Sequence, residues 1–328
     1  MITILSLLLA CSNNDAVETV NPQIADAVTV DRTKLGAFQP LPDNFFVAGS
    51  EPTPERVALG RRLFFETQLS ADSDLSCSSC HNVAKDGADE HSFSPGHKMQ
   101  PVGRNSPTVF NAAGQFSQFW DGRAATVEEQ ALGPILAAGE MAMPNADAVV
   151  AVLKKDPTYI AEFAKAFPGE KDPLNFQNIG VAIGAYERTL VTPSKWDSFL
   201  AGDDSALSDD EKRGLNTFME VGCTACHNGA LLGGASFMKL GTVNPWPNQA
   251  DQGRFGVTNQ ESDRMVFKVA SLRNSTETAP YFHDASAASL GEAVSMMGKH
   301  QLGKDLTPEH VSDIVTFLGS TAGSPKAF

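Results

Sequence analysis

The sequence is poor in positive charge. It holds 25 Lys and Arg against 39 Asp and Glu, a formal net charge of −14 over 328 residues. No basic run breaks this balance. Non-specific nucleic-acid binding needs a positive field that displaces counterions, so nucleic acid is not an expected partner. A small basic partner protein is compatible with the charge. Cysteine is also scarce, with five in the whole chain. A secreted disulfide scaffold is much shorter and much richer in cysteine, and no zinc-finger-like Cys/His array is present. The apolar run at residues 1–10 is too short to span a bilayer as a helix. Strand signals are few. With 42% apolar and 20% charged residues the composition is that of an ordinary globular protein, long enough for two modest domains.

The run at residues 1–10 reads as the apolar part of a secretory signal of the lipoprotein type. Leu8-Leu9-Ala10-Cys11 looks like a bacterial lipoprotein processing site, so Cys11 is expected to carry a lipid and attach the chain to a membrane. No Lys or Arg precedes the run, which suits a start upstream of Met1. Residues 11–34 read as a tether that leads into an irregular arm.

Helix signals begin at Thr53-Pro54-Glu55, an N-cap followed by proline at the first helical position. Val57, Leu59, Leu63 and Phe64 supply its apolar side. Ser208-Asp209-Asp210-Glu211 is a capping box before a second such helix. Gly60 and Phe64 on the first are spaced like Gly214 and Phe218 on the second, a weak internal repeat that suggests two copies of one module. Further helices are expected over Thr126–Leu136, Ala146–Lys155 and Ile179–Leu190, and from Thr307-Pro308 to Gly319. Residues 228–285 are rich in Gly, Pro and Asn and read mostly as loops. Thr192-Pro193-Ser194 marks a boundary near 190. The expected fold is mainly α, with two cytochrome c-like domains over residues 35–190 and 191–328.

Four of the five cysteines fall in Cys77-Ser78-Ser79-Cys80-His81 and Cys223-Thr224-Ala225-Cys226-His227. A Cys-X-X-Cys-His turn places two thiols for thioether bonds to porphyrin vinyl groups and an imidazole for the iron. One such motif could be chance or half a zinc site. Two, with no other cysteine after residue 11, imply two covalently bound haems c with His81 and His227 as iron ligands. Haem c is attached outside the bacterial cytoplasm, which agrees with export to the periplasm. Sixth ligands could come from His91, His97, His283, His300 or His310, or from methionine, whose thioether raises the potential. Leu290, Ala293, Val294 and Met297 share one helical face, so Met297 is a good candidate, the alternative being core packing.

Longer stretches are more specific. Gly-Arg-Asn-Ser-Pro-Thr-Val-Phe-Asn-Ala (103–112), Gln-Phe-Trp-Asp-Gly-Arg-Ala (118–124), Gly-Glu-Met (139–141), Pro-Tyr-Phe-His (280–283) and Met-Met-Gly (296–298) accompany the haem motifs. With these, residues 35–328 resemble the bacterial di-haem cytochrome c peroxidases, whose relatives include the MauG enzymes. The resemblance implies an enzyme that reduces hydrogen peroxide to water with electrons from a small c-type cytochrome or a cupredoxin. It implies that the N-terminal haem is the low-potential, peroxidatic one, ligated by His81 and by a displaceable His97 sixteen residues on. Gly87, Gly96 and Gly103 make a mobile loop around His97 reasonable. His91 does not match and is left as a surface residue. The C-terminal haem becomes the high-potential, electron-accepting one, ligated by His227 and Met297. Glu140 matches the acid–base catalyst and Trp120 a relay between the haems. Asn105, Thr278 and Pro280 match the ligands of one Ca²⁺ at the domain interface, a site that no acidic loop announces. The resemblance also allows a homodimer. MauG-like enzymes carry Tyr where Met297 stands, so a side-chain-modifying oxidase is the second reading and a non-catalytic electron carrier the third.

Overall fold

The computed structural model describes residues 27–325. The expected signal and the lipidated Cys11 lie outside the described residues. No helix among the described residues is long and apolar enough to cross a membrane. The fold is mainly helical, as expected. Helices α1 (Pro54–Phe64), α2 (Cys77–Cys80), α3 (Val127–Leu136), α4 (Ala146–Leu153), α5 (Pro157–Ala166) and α6 (Phe176–Glu187) come first. Next come α7 (Lys195–Leu200), α8 (Asp209–Val221), strand β1 (Phe237–Lys239), α9 (Phe255–Thr258), strand β2 (Val266–Lys268), α10 (Leu290–Met296) and α11 (Pro308–Gly319). The two strands pair antiparallel, with Phe237 opposite Lys268 and Lys239 opposite Val266.

Local chemistry sets the helix starts. The Thr53 and Thr307 side chains accept from the Arg56 and His310 backbone N–H, and proline opens both helices. Ser208 and Glu211 form the reciprocal capping box. The expected helix over Ile179–Leu190 starts earlier, because Asn175 caps it through the Asn178 N–H. Helix α5 has the same kind of signal, an Asp156 cap followed by Pro157, and it was not anticipated.

Packing forms two main apolar cores. One gathers Leu63, Phe64, Phe163, Ile183 and Leu190, and the other Trp196, Leu215, Phe218, Ile314 and Phe317. The arm before α1 departs from the sequence reading, which put residue 35 at the head of the first module. Leu35 and Phe38 pack in the second core, where Phe38 meets Trp196 edge-on at 5.3 Å. The arm is held there by Gly229 N–H donating to the Ala37 carbonyl at 2.8 Å. Such a pairing spans more than 150 residues of sequence and leaves no periodic trace. Thr192 then knots the halves together. Its hydroxyl donates to Asn274 Oδ1 at 2.7 Å and accepts from Asn111 Nδ2 at 2.7 Å.

The internal repeat is physical. Gly60 on α1 lies against the Ala182 carbonyl and Tyr186 of α6, and Gly214 on α8 lies against the Asp313 carbonyl and Phe317 of α11. In each pair the carbonyl sits four residues before an aromatic ring. Phe64 meets Tyr186 at 5.4 Å and Phe218 meets Phe317 at 5.3 Å. Each module therefore has a helix crossing, α1 on α6 and α8 on α11, at a point where no Cβ fits. Gly60→Ala and Gly214→Ala should each cost about 1–3 kcal/mol by overpacking, seen as a lower urea midpoint. An unchanged midpoint would mean that the crossings can open freely.

Candidate functional site

In the first module, α2 is a single turn whose Ser76 cap precedes Cys77. The His81 N–H donates to the Cys77 carbonyl at 2.9 Å and closes the turn, so the imidazole follows directly on the second thiol. Burial pushes the Cys77 thiol up to about 12 and the Cys80 thiol up to about 11. Free thiols so placed stay protonated, poor as thiolate ligands or redox nucleophiles. Burial also lowers His81, which keeps the ring neutral, as an iron ligand must be. Its Nδ1 is buried without a hydrogen-bond partner. Among the described residues no three His, Cys, Asp or Glu side chains converge as a metal cluster.

His97 and Glu140 are brought together by backbone. The His97 N–H donates to the Glu140 carbonyl at 2.8 Å. The chain folds back at once, Gly96 N–H donating to the Gln100 carbonyl at 2.8 Å. Gly96 lies so close to the Gly139 carbonyl that a Cβ there would collide with it. His97 opens a tight 3-10 turn in which Lys98 (φ 54°) and Met99 (φ 61°) are both left-handed. Non-glycine residues there carry strain on the order of 1 kcal/mol each. The His97 Nδ1 is buried and unbonded, with an Asp72 carboxylate oxygen at 3.5 Å, too long for a good hydrogen bond. Burial raises the Glu140 carboxyl above its usual range, against the pull of Arg123. Its charge is felt at the Cys80 thiol, which places the carboxyl near the haem-attachment turn. Arg123 lies 3.4 Å over the Phe119 ring and is paired with Asp121 at 3.1 Å. His91 is exposed.

In the second module, the Cys223 and Cys226 thiols are also raised by burial. His227 Nδ1 lies 3.1 Å from the Leu232 carbonyl, which orients the ring and leaves Nε2 as the ligand atom. A cavity of about 260 Å³ opens beside it, walled by Cys223, Cys226, His227 and Met297. Leu290, Ala293 and Val294 line the same wall, so the helical face read from sequence does point inward, and Met296 is not on it. Met297 begins a π-helical turn, Met297–Leu302, at the end of α10. Such turns are frequent at functional sites. Two thiols, an imidazole, a thioether and apolar walls suit a flat, largely apolar iron macrocycle.

Trp120, a residue of the first module, lines this cavity. Its indole N–H donates to the Asn105 carbonyl at 2.9 Å, and its ring meets His283 edge-on at 6.2 Å. Asn105, Thr278 and Pro280 all line the cavity too. The Asn105 amide nitrogen is spent on the His91 carbonyl at 3.0 Å, which leaves its side-chain oxygen for a hard cation. The sequence reading named His283 only among the possible sixth ligands and gave no role to Lys268, Arg123 or Asp72. His283 is only 2% exposed, stacks on Phe267 at 4.2 Å and has an unpartnered Nε2. Its signal was present in Pro-Tyr-Phe-His and that of Arg123 in Gln-Phe-Trp-Asp-Gly-Arg-Ala, whereas Lys268 and Asp72 have none.

Comparison with known proteins fits this geometry. The model of the family described as di-haem cytochrome c peroxidase matches residues 54–205. A cytochrome c551 peroxidase from Pseudomonas aeruginosa is 46% identical over 91% of this chain and 87% of its own length. The chain belongs to the di-haem cytochrome c peroxidase family. A methylamine utilization protein MauG from Methylorubrum extorquens is 33% identical over 98% of this chain and 94% of its own. The crystal structure of a MauG-like protein associated with microbial copper homeostasis superposes with a TM-score of 0.75 at 28% identity, covering 86% of this chain and 93% of that one. As a family member the chain carries two haems c, one on each Cys-X-X-Cys-His turn, and the thiols and imidazoles described above fit that load.

Proposed function

We propose that this protein reduces hydrogen peroxide to water with electrons from a small c-type cytochrome or a cupredoxin. The observation that carries the reading is the pairing of His97 with Glu140 beside the first attachment turn, on a strained turn able to move. The haems, when bound, supply one-electron redox chemistry at iron. The chain's residues do the rest. His81 and His97 would hold the first iron, and His227 and Met297 the second. His97 must leave before peroxide can enter, and the left-handed Lys98 and Met99 lower the cost of that release. Glu140 then moves a proton from the near peroxide oxygen to the leaving one. Two protons and two electrons complete two waters. Trp120, between the modules, relays electrons arriving at the C-terminal side. Residues 35–190 and 191–328 are the two functional units, with the arm of the first docked on the second. Asn105, Thr278 and Pro280 would hold a calcium ion between them through an amide and two main-chain oxygens. Haem c attachment places the chain in the periplasm, with Cys11 as the lipid anchor.

Met297 favours this reading over a MauG-like oxidase. Tyr281 lines the same cavity but commits its hydroxyl to the Ser275 carbonyl at 2.7 Å. The reading is tested by His97→Gly. The fully oxidised variant should consume peroxide without prior reduction, whereas the oxidised wild type should wait for one electron. An oxidised variant as inert as the oxidised wild type would contradict gating by His97.

A further inference from the structure

The C-terminal cavity is lined by three cationic residues, Lys239, Lys268 and Arg273, and by no Asp or Glu, in a chain of net charge −14. Arg273 is already satisfied. Its guanidinium grips Asp197 at 2.7 and 2.8 Å and donates to the Ala230 carbonyl at 2.9 Å. Lys239 is exposed. Lys268 differs from both. It ends β2, is 9% exposed, and its ammonium makes one hydrogen bond among the described residues, to the Ser117 carbonyl at 2.8 Å. Two of its three N–H donors remain.

A buried ammonium without an anion is costly. Burial pushes Lys268 down to about 7. The carboxylate that acts on it is Asp121, and Asp121 is already held by Arg104 at 2.6 Å and Arg123 at 3.1 Å. The described residues thus offer the ammonium no free counter-ion, whereas a haem attached here would carry two carboxylates. Lys268 is also bound to the relay segment at two points. Its backbone N–H donates to the Trp120 carbonyl at 2.8 Å, and its ammonium holds Ser117 of the same turn.

We propose that Lys268 is a positioning residue for electron transfer: its ammonium is the counter-charge of a porphyrin carboxylate in the C-terminal cavity and ties that carboxylate to the Ser117–Trp120 turn. A fixed positive charge there stabilises the reduced haem over the oxidised one and so helps make this side the electron acceptor. The inference rests on haem attachment at Cys223 and Cys226, and peroxide turnover is not needed for it.

The test is a spectroelectrochemical titration of the C-terminal haem in the holo-protein and in Lys268→Met, Lys268→Gln and Lys268→Arg. Haem content and the thermal midpoint are followed alongside. The two neutral variants should make reduction about tenfold less favourable, which is about 59 mV for one electron. Lys268→Arg should stay within about threefold of wild type. Lys268→Gln can still donate to the Ser117 carbonyl, so it carries the test if Lys268→Met does not fold. A neutral variant with the wild-type potential would overturn the proposal. So would an arginine variant that falls as far as the neutral ones, because shape and not charge would then be responsible. If the potentials shift as expected while the wild type fails to turn over peroxide, the peroxidase reading falls and the role of Lys268 stands.

Discussion

Glu140→Gln should lower kcat for peroxide reduction by about two to four orders of magnitude, the usual contribution of a positioned acid–base group. The substitution keeps shape and removes the transferable proton. The backbone contact that joins this position to His97 is made by the Glu140 carbonyl, not the side chain, so His97 should stay in place. Haem content, the optical spectrum of the resting protein and the urea midpoint should therefore match wild type. Desolvation raises the partly buried carboxyl above its ordinary range, the direction that favours its proton-bearing form. A full loss of turnover with unchanged peroxide binding would locate the defect in bond cleavage. Steady-state kinetics with a reduced c-type cytochrome gives the answer, and a Glu140→Gln variant within threefold of wild type would remove this residue from the chemistry.

Met297→His is expected to be nearly as damaging by another route. A thioether favours ferrous iron and raises the potential, whereas a second imidazole lowers it. Axial ligation spans about 0.8 V across haem proteins. Even a fall of about 120 mV would make electron acceptance about a hundredfold less favourable. The variant should keep its covalent haem, because Cys223, Cys226 and His227 are untouched, and it should fail to be reduced by the donor that reduces wild type. Direct chemical reduction should then restore peroxide consumption. A Met297→His protein with an unchanged potential would mean that Met297 packs the cavity without ligating iron.

Much of this arrangement was legible because its signals are local. Caps at Thr53, Ser208 and Thr307 act within one turn and appear where the residues stand. The Met297 face was legible because helical periodicity persists through Leu290, Ala293 and Val294. The Gly60 and Gly214 spacing was read as a repeat, and its physical reason, a helix crossing without room for a Cβ, needed the partner helices. Long-range choices were not legible. Nothing in Leu35 or Phe38 says that they pack beside Trp196 in place of the adjoining module. Lys268 stands in a short strand whose three residues are all buried, and a lone lysine carries no sign of its depth. The assignments of His97, Glu140, Trp120 and the calcium ligands came from resemblance rather than from spacing. What geometry adds is that His97 meets Glu140 by backbone, and that Trp120, Asn105, Thr278 and Pro280 share one cavity wall.

The central claim is peroxide reduction at a site that opens when the other haem receives an electron. The most direct measurement is peroxide consumption with a reduced small c-type cytochrome, started from fully oxidised protein and from protein given one electron per chain. Immediate oxidation of two cytochromes per peroxide is expected from the one-electron form, and a lag or no turnover from the oxidised form. No peroxide-dependent cytochrome oxidation from either form would contradict it and leave an electron carrier or a side-chain-modifying oxidase.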